Sequence, residues 1–426
     1  MSKALDTSLR AILPVWRTTP TNALHREAGK PPVPLLLEAR RMAFAARLKA
    51  LDEDHPLVKR TSRPQAPAVT INKLIKLKYQ KPPQPFRTRL RRTDEMLPNC
   101  PRPALLQREF AEEQNAPLQN ASKIETAKEF RNWLQVLSPR TLVVYSDGSR
   151  SDEGYVGYGY AVHRDKSTVL SGKGRLGPAE VFDAEAKGAL EGLKAAVSIP
   201  DTDRVFVCLD NIATARCLRG TPSDSSQDVF IEFQSLARQN GAVEVHWIPG
   251  RADIPGNEEA DALAKAGASL PEPADNAPTL AHLRKIARQR PKLAFKIWWQ
   301  ASAPEQYKNL DLTAANGCPP ELALSRPLLH HLLAARTRHG DFADYHERFD
   351  HQDERLTCSC GRRKDPTHIF YCRKVAPWHR LRLTPSPPRA MLTYLQAAFP
   401  TTPGRPADGQ RAYPERLRAD EMLDSG

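Results

Sequence analysis

The chain has 426 residues, 40% of them hydrophobic, which is enough for two or three domains and at least one true core. Its formal charge is +14, from 63 Lys and Arg against 49 Asp and Glu. Apolar runs are short and interrupted by Arg or Lys, which excludes a membrane span. The opening "MSKALDTSLRAILPVWRTTP" lacks the apolar block and cleavage site of a secretory signal, so an intracellular protein is expected.

The charge is unevenly spread. Residues 1 to 140 hold 26 basic against 13 acidic side chains, residues 141 to 270 hold 13 against 19, and the remainder holds 24 against 17. An acidic middle between basic flanks suits a polyanionic partner approached through cations, the pattern of a metal-dependent enzyme on nucleic acid. The alternative is a basic surface without function.

In chain order, "PLLLEARRMAFAARLKALDEDHPL" has apolar positions at helical spacing and predicts one long helix after the Pro-rich "GKPPVP". From about residue 60 to 120, Pro mixes with Arg and Lys and the order signal fades, as in a basic linker. A compact domain begins near Pro139. "TLVVYSDG", "YVGYGYAVHR" and "STVLSGKGRLG" predict three strands. "VFDAEAKGALEGLKAAVSI" follows as a helix and "RVFVCLD" as a buried strand, then helices ending at Gly220 and Gly241, the strand "AVEVHWIPG" and a last helix over "NEEADALAKAGAS". Three strands followed by alternating helices and strands predict a mixed sheet covered by helices, an α/β domain. There is no internal repeat. Phe295, Trp298 and Trp299 downstream read as core rather than as base-stacking platforms, and the Pro-rich tail reads as disordered.

Four acidic residues stand at strand ends and helix starts of this domain. Asp147 closes the first strand, Glu185 lies in the first turn of the first long helix, Asp210 ends the strand "RVFVCLD", and Asp261 lies in the last helix. Taken singly each reads as a cap or surface charge; Asp-Gly at 147–148 is a common way to leave a strand. Gathered on one sheet edge, they could not all stay ionised without cations. Two Mg²⁺ about 4 Å apart would activate water on one side of a phosphodiester and stabilise the leaving oxygen on the other.

The ordered blocks "YSDGS", "DAEAKGAL", "VCLDN" and "WIPGRADIPGNEEADALAKAGA" resemble the ribonuclease H type 1 domain over about residues 140 to 270, especially the versions carried by reverse-transcribing elements. The resemblance implies a ribonuclease H-like mixed five-stranded sheet with helices on both faces. It also implies Asp147, Glu185, Asp210 and Asp261 as the catalytic set holding two Mg²⁺, with Mn²⁺ as substitute. The reaction implied is hydrolysis of the RNA strand of an RNA–DNA hybrid. Many members carry a histidine where this chain has Arg251. Arginine cannot shuttle a proton, so slower cleavage with a retained phosphate contact is expected. Gly148 and Ser149 are assigned to close approach and 2′-hydroxyl reading, and Asn211 to the hybrid. Asn257 shares a helix face with Asp261, with a plain helix cap as the alternative.

"CSCGRRKDPTHIFYC" offers Cys358, Cys360, His368 and Cys372, three sulfurs and an imidazole, the donor set of a closed structural zinc site. Ordinary thiols beside a histidine are the alternative. The segment resembles the one following ribonuclease H in some non-LTR retrotransposon polyproteins, and Arg362, Arg363, Lys364 and Arg373 would then reach phosphates. "AILPVWRTTPTNALHREAGKPPVPLLLEARRMAFAARL" also resembles such polyproteins, between polymerase and ribonuclease H. No Tyr-x-Asp-Asp polymerase motif occurs, so a polymerase partner in trans and nuclear residence go with this reading. The expected division is 1–60 connection-like and helical, 61–138 basic linker, 139–270 ribonuclease H-like, 279–350 helical, 351–380 zinc-binding and 381–426 disordered. The rival function is a catalytically decayed remnant that grips nucleic acid without cutting.

Overall fold

A computed structural model describes residues 1–61, 88–105, 122–274, 276–350, 356–366, 368 and 372–374. The expected disordered tail and most of the expected linker (62–87 and 106–121) lie outside the described residues. Two compact units divide the chain: residues 1–39 with 289–426, and residues 40–288.

The second unit is built on a five-stranded sheet: β1 (Thr141–Arg150), β2 (Val156–Arg164), β3 (Ser167–Arg175), β4 (Arg204–Leu209) and β5 (Val243–Trp247), in the order β3-β2-β1-β4-β5. β1, β2 and β3 pair antiparallel, whereas β1–β4 and β4–β5 are parallel. Alternate side chains of β1 face opposite sides, as the period of two requires. Leu142 and Val144 enter a core with the long helix Val181–Val197 and the helices Ile212–Arg219 and Gln227–Asn240. Val143 and Tyr145 enter another with Phe130, Ile248, Ile254 and Ala260. Helices therefore cover both faces, and the expected α/β architecture is the observed one.

Among the described residues the α-helices are, in chain order, α1 (Ser2–Ile12), α2 (Thr21–Glu27), α3 (Val33–Lys49), α4 (Pro56–Thr61), α5 (Arg89–Asp94), α6 (Lys123–Gln135), α7 (Val181–Val197), α8 (Ile212–Arg219), α9 (Gln227–Asn240), α10 (Pro255–Ala268), α11 (Leu280–Ser302), α12 (Glu305–Asn309), α13 (Arg326–Thr337) and α14 (Ala343–Arg348). The long helix expected after "GKPPVP" is interrupted. α3 ends at Lys49, Arg102 donates to the Leu48 and Leu51 carbonyls, and Asp52 accepts the Asp54 N–H in a local turn at 2.8 Å. Within the stretch read as linker, α6 is ordered by a capping box between Ser122 and Glu125 and packs Phe130 and Trp133 on the sheet.

In the first unit, Leu9, Leu13 and Leu24 of the amino-terminal segment bury against Leu332 and Leu333 of α13. Phe295 and Trp299 are core residues, as expected, and the Trp299 indole donates to the Leu312 carbonyl at 2.6 Å. Arg336 is fully buried between Glu27 (3.1 Å) and Glu321 (2.8 Å). Among the described residues no helix is long and apolar enough to cross a membrane.

Candidate active site and metal clusters

The site follows from unequal strand lengths. β1 pairs with β4 only as far as Tyr145–Cys208, while its pairing with β2 continues to Arg150–Val156. Beyond Tyr145, β1 outruns β4 and opens a notch beside the residue that follows β4, Asp210. Asp147 is therefore not at a turn: it lies inside β1 opposite Gly159, because the hairpin ladder carries the strand on past the Asp-Gly pair. Glu185 is the fifth residue of α7 rather than part of its first turn. Asp147, Glu185 and Asp210 each present an oxygen, all within 4.8 Å of one another. Asp261 stands outside that trio. It pairs with Lys265 one turn on at 2.5 Å, yet it shares a hydrogen bond with Asp147, and its charge raises the pKa of both Asp147 and Asp210.

Burial and crowding make this cluster electrostatically costly. Asp147 is pushed up to about 7, first by burial, then by Asp210; the Gly148 N–H opposes the shift from 2.7 Å. Glu185 is pushed up to about 8, again first by burial, against a hydrogen bond from Asn211. Asp210 is raised by burial, while a hydrogen bond from Asn257 and the charges of Lys123 and Arg251 lower it. Each shift says that the ionised site lacks compensating charge.

The neighbours hold these carboxylates in place. Asn211 accepts the Ala213 and Thr214 N–H groups with its oxygen, capping α8, and its amide nitrogen donates to Glu185 Oε1 at 3.1 Å. The residue expected to touch the hybrid thus has both ends occupied. Glu185 Oε2 is buried with no hydrogen-bond partner among the described residues, an orphan acceptor of the kind a divalent cation satisfies. Asn257 is not the cap. Ile254 occupies that position, and the amide is turned inward to Asp210. The Trp247 indole donates to the Asp210 carbonyl at 2.8 Å. A Cβ at Gly250 would lie 2.3 Å from Asp210 Oδ2, so a side chain there would push that carboxylate from its place. Gly148 lies where a Cβ would meet the Val181 carbonyl of α7 at 2.7 Å. Its bareness seats the helix carrying Glu185. Ser149 is half-buried in β1, and Arg251 is exposed on the loop after β5.

Sequence reasoning passed over Asp183, which is 1% exposed. It accepts from the Glu180 N–H (2.9 Å), Ser225 Oγ (2.7 Å), Ser226 Oγ (2.9 Å) and Thr279 Oγ1 (2.7 Å). Two residues from Glu185, it fixes the start of α7. Its signal was the E-x-x-D spacing of a capping box at 180–183, which says nothing of the distant hydroxyls. Gly250 and Lys265 were also missed; the four-residue spacing of Asp261 and Lys265 was the available signal.

Cys358, Cys360, His368 and Cys372 form a second cluster, their ligand atoms likewise within 4.8 Å of one another. Sulfurs bound tetrahedrally at about 2.3 Å from zinc lie about 3.8 Å apart, and Cys358 and Cys372 Sγ are 3.8 Å apart. The Cys360 N–H lowers the Cys358 thiol to about 6, toward the thiolate that binds metal. A tight loop with Gly361 at φ +82° brings Cys358 and Cys360 into place. The donor set and spacing fit a tetrahedral ion. The charges expected to reach phosphates are partly taken: Arg363 pairs with Asp344 and Glu347 of α14, Lys364 with Asp341, and Arg373 donates to the Cys360 carbonyl at 2.8 Å. The Arg363 pairs dock the loop on α14, and Arg362 is exposed.

Residues 139–269 match the RNase H family. Similar solved structures include the N-terminal RNase H domain of Rv2228c from Mycobacterium tuberculosis, fused to maltose binding protein. It is 25% identical over 30% of this chain and 93% of that chain, with a TM-score of 0.27. RNase H1 from the archaeon Halobacterium salinarum is 24% identical over 30% and 96%, TM-score 0.25. The prototype foamy virus protease-reverse transcriptase is 20% identical over 32% and 22%, TM-score 0.28. No curated protein matches the chain.

Proposed function

We propose that this protein is a divalent-metal-dependent endoribonuclease acting on the RNA strand of RNA–DNA hybrids, derived from the carboxyl-terminal part of a non-LTR retrotransposon polyprotein. The observation that carries the reading is the convergence of Asp147, Glu185 and Asp210 inside the segment that matches RNase H. Their raised pKa values and the orphan Glu185 Oε2 support two Mg²⁺ or Mn²⁺ held by these three residues with Asp261. When bound, such ions supply an activated water and charge neutralisation at a phosphodiester.

The protein's own residues orient the acids. Asn211 engages one Glu185 oxygen and leaves the other for a ligand; Asn257, Trp247 and Gly250 fix Asp210; Lys265 steers Asp261. Gly148 and Ser149, next to Asp147 on β1, remain assigned to the RNA strand. Arg251 offers a phosphate a permanent positive charge without a transferable proton. Cys358, Cys360, His368 and Cys372 would hold one structural Zn²⁺. A polymerase acting in trans and nuclear residence belong to the same reading.

Arg251 favours the second reading, a remnant that binds nucleic acid without cutting. A labelled hybrid incubated with Mg²⁺ and the full chain, beside Asp210→Asn, separates the two. Cleavage by the natural protein alone supports the nuclease; binding by both with cleavage by neither supports the remnant.

A further inference from the structure

Within residues 40–288, the carboxyl-terminal half of α3 and the first turns of α11 enclose a cleft of about 540 Å³. Its apolar lining comes from Ala43, Ala46, Ala50, Leu51 and Ala287, and its charged lining from Arg47, Arg284 and Arg288. Arg284 is paired with Asp224 at 2.8 Å, but exposed Arg47 and Arg288 have no acidic partner among the described residues. The volume lies in the range of ligand clefts, roughly 300–1,000 Å³. Two unneutralised guanidinium forks beside this apolar lining match a phosphodiester in charge and in bidentate geometry. An apolar helix laid there would strand both charges.

The cleft is also tied to the acidic site. Thr279 donates to Asp183, the Ala281 N–H to Ser225 Oγ at 2.9 Å, and Ser225 to Asp183 in turn; Lys285 pairs with Glu180 at 2.6 Å. The start of α11 is thereby pinned to the start of α7, which carries Glu185. We propose that this arginine-lined cleft, lying outside the segment that matches RNase H, binds the sugar–phosphate backbone of the nucleic-acid substrate. The assignment rests on the hybrid-nuclease reading for the identity of that nucleic acid.

The test measures binding of labelled hybrid to the full chain in an Asp210→Asn background, which keeps the substrate intact, across a salt series. Replacing Arg47 and Arg288 with Gln removes two phosphate contacts. It is expected to lower the slope of log affinity against log salt by about 1.8 and to weaken binding roughly tenfold near 0.1 M salt. Lysine at both positions is expected to restore the slope, which a merely structural role would not do. An unchanged slope in the Gln variant overturns the cleft even where the natural protein cleaves, and so does polyglutamate binding that depends on these arginines while hybrid binding does not. If the natural protein binds hybrid with the arginine-dependent slope but never cuts it, the cleft stands and the nuclease reading falls. Failure to bind hybrid overturns both.

Discussion

The two ligand clusters differ in how they are assembled. The Cys/His set comes from fifteen consecutive positions, 358 to 372, and a single turn at Gly361 brings Cys358 and Cys360 into place. The carboxylates come from three elements across more than sixty positions, and only the sheet brings them together. The first can form locally; the second exists only once the domain has folded, and folding must then bear its electrostatic repulsion. The cluster of like charges thus depends on the scaffold, whereas the local one would, under the proposed reading, be stabilised by its own ion.

Asp210 is the most sensitive point of the scaffold-built cluster. Asp210→Asn is expected to reduce hybrid cleavage by roughly 10²–10³-fold or more, read as product formed from a labelled hybrid; a loss under tenfold would remove this carboxylate from the chemistry. At the other cluster, Cys360→Ser is expected to abolish retention of stoichiometric zinc on the purified full chain, measured by elemental analysis. Equal zinc in both proteins would return the cluster to ordinary thiols. Arg251→His is expected to raise turnover by about tenfold, below the usual range for an added proton-transfer group; no gain would mean that the position does not limit the rate.

The smallest effect concerns pH. A carboxyl whose folded pKa is raised contributes stability that is fully present below its unfolded value near 4 and is lost as pH rises through the folded value. With Asp147 at about 7 and Glu185 at about 8, the metal-free fold weakens between pH 4 and 8. Mg²⁺ offsets this, so its increase of the melting temperature is expected to be larger at pH 8 than at pH 5, by about 2–4 °C for each kcal/mol recovered. Equal increases at both pH values would detach magnesium from these groups.

Much of this was legible in the sequence because period and punctuation agreed. Alternation marked β2, short apolar runs marked β1 and β4, and Gly220 and Gly241 marked the ends of α8 and α9. What escaped were contacts between residues far apart in the chain. Nothing local tells that Asp147 sits within a strand, since the ladder to Gly159 is set by β2. Asn257 looks like a cap until the loop after β5 brings it beside Asp210. Asp183 looks like a routine helix-start acid until Ser225 and Thr279 arrive from 42 and 96 residues away. The helix α6 was hidden inside a Pro- and Arg-rich stretch whose composition outweighed its capping box.

The hydroxyl of Thr279 has a practical corollary for anyone dissecting this molecule. A fragment trimmed to the family boundary at residue 269 would leave a submerged carboxylate short of a donor, a defect of about 1–3 kcal/mol. It would come from the cut itself rather than from the intact domain. The minimal autonomous domain should therefore extend through the opening turns of α11, and its melting temperature should rise when those roughly eighteen residues are restored.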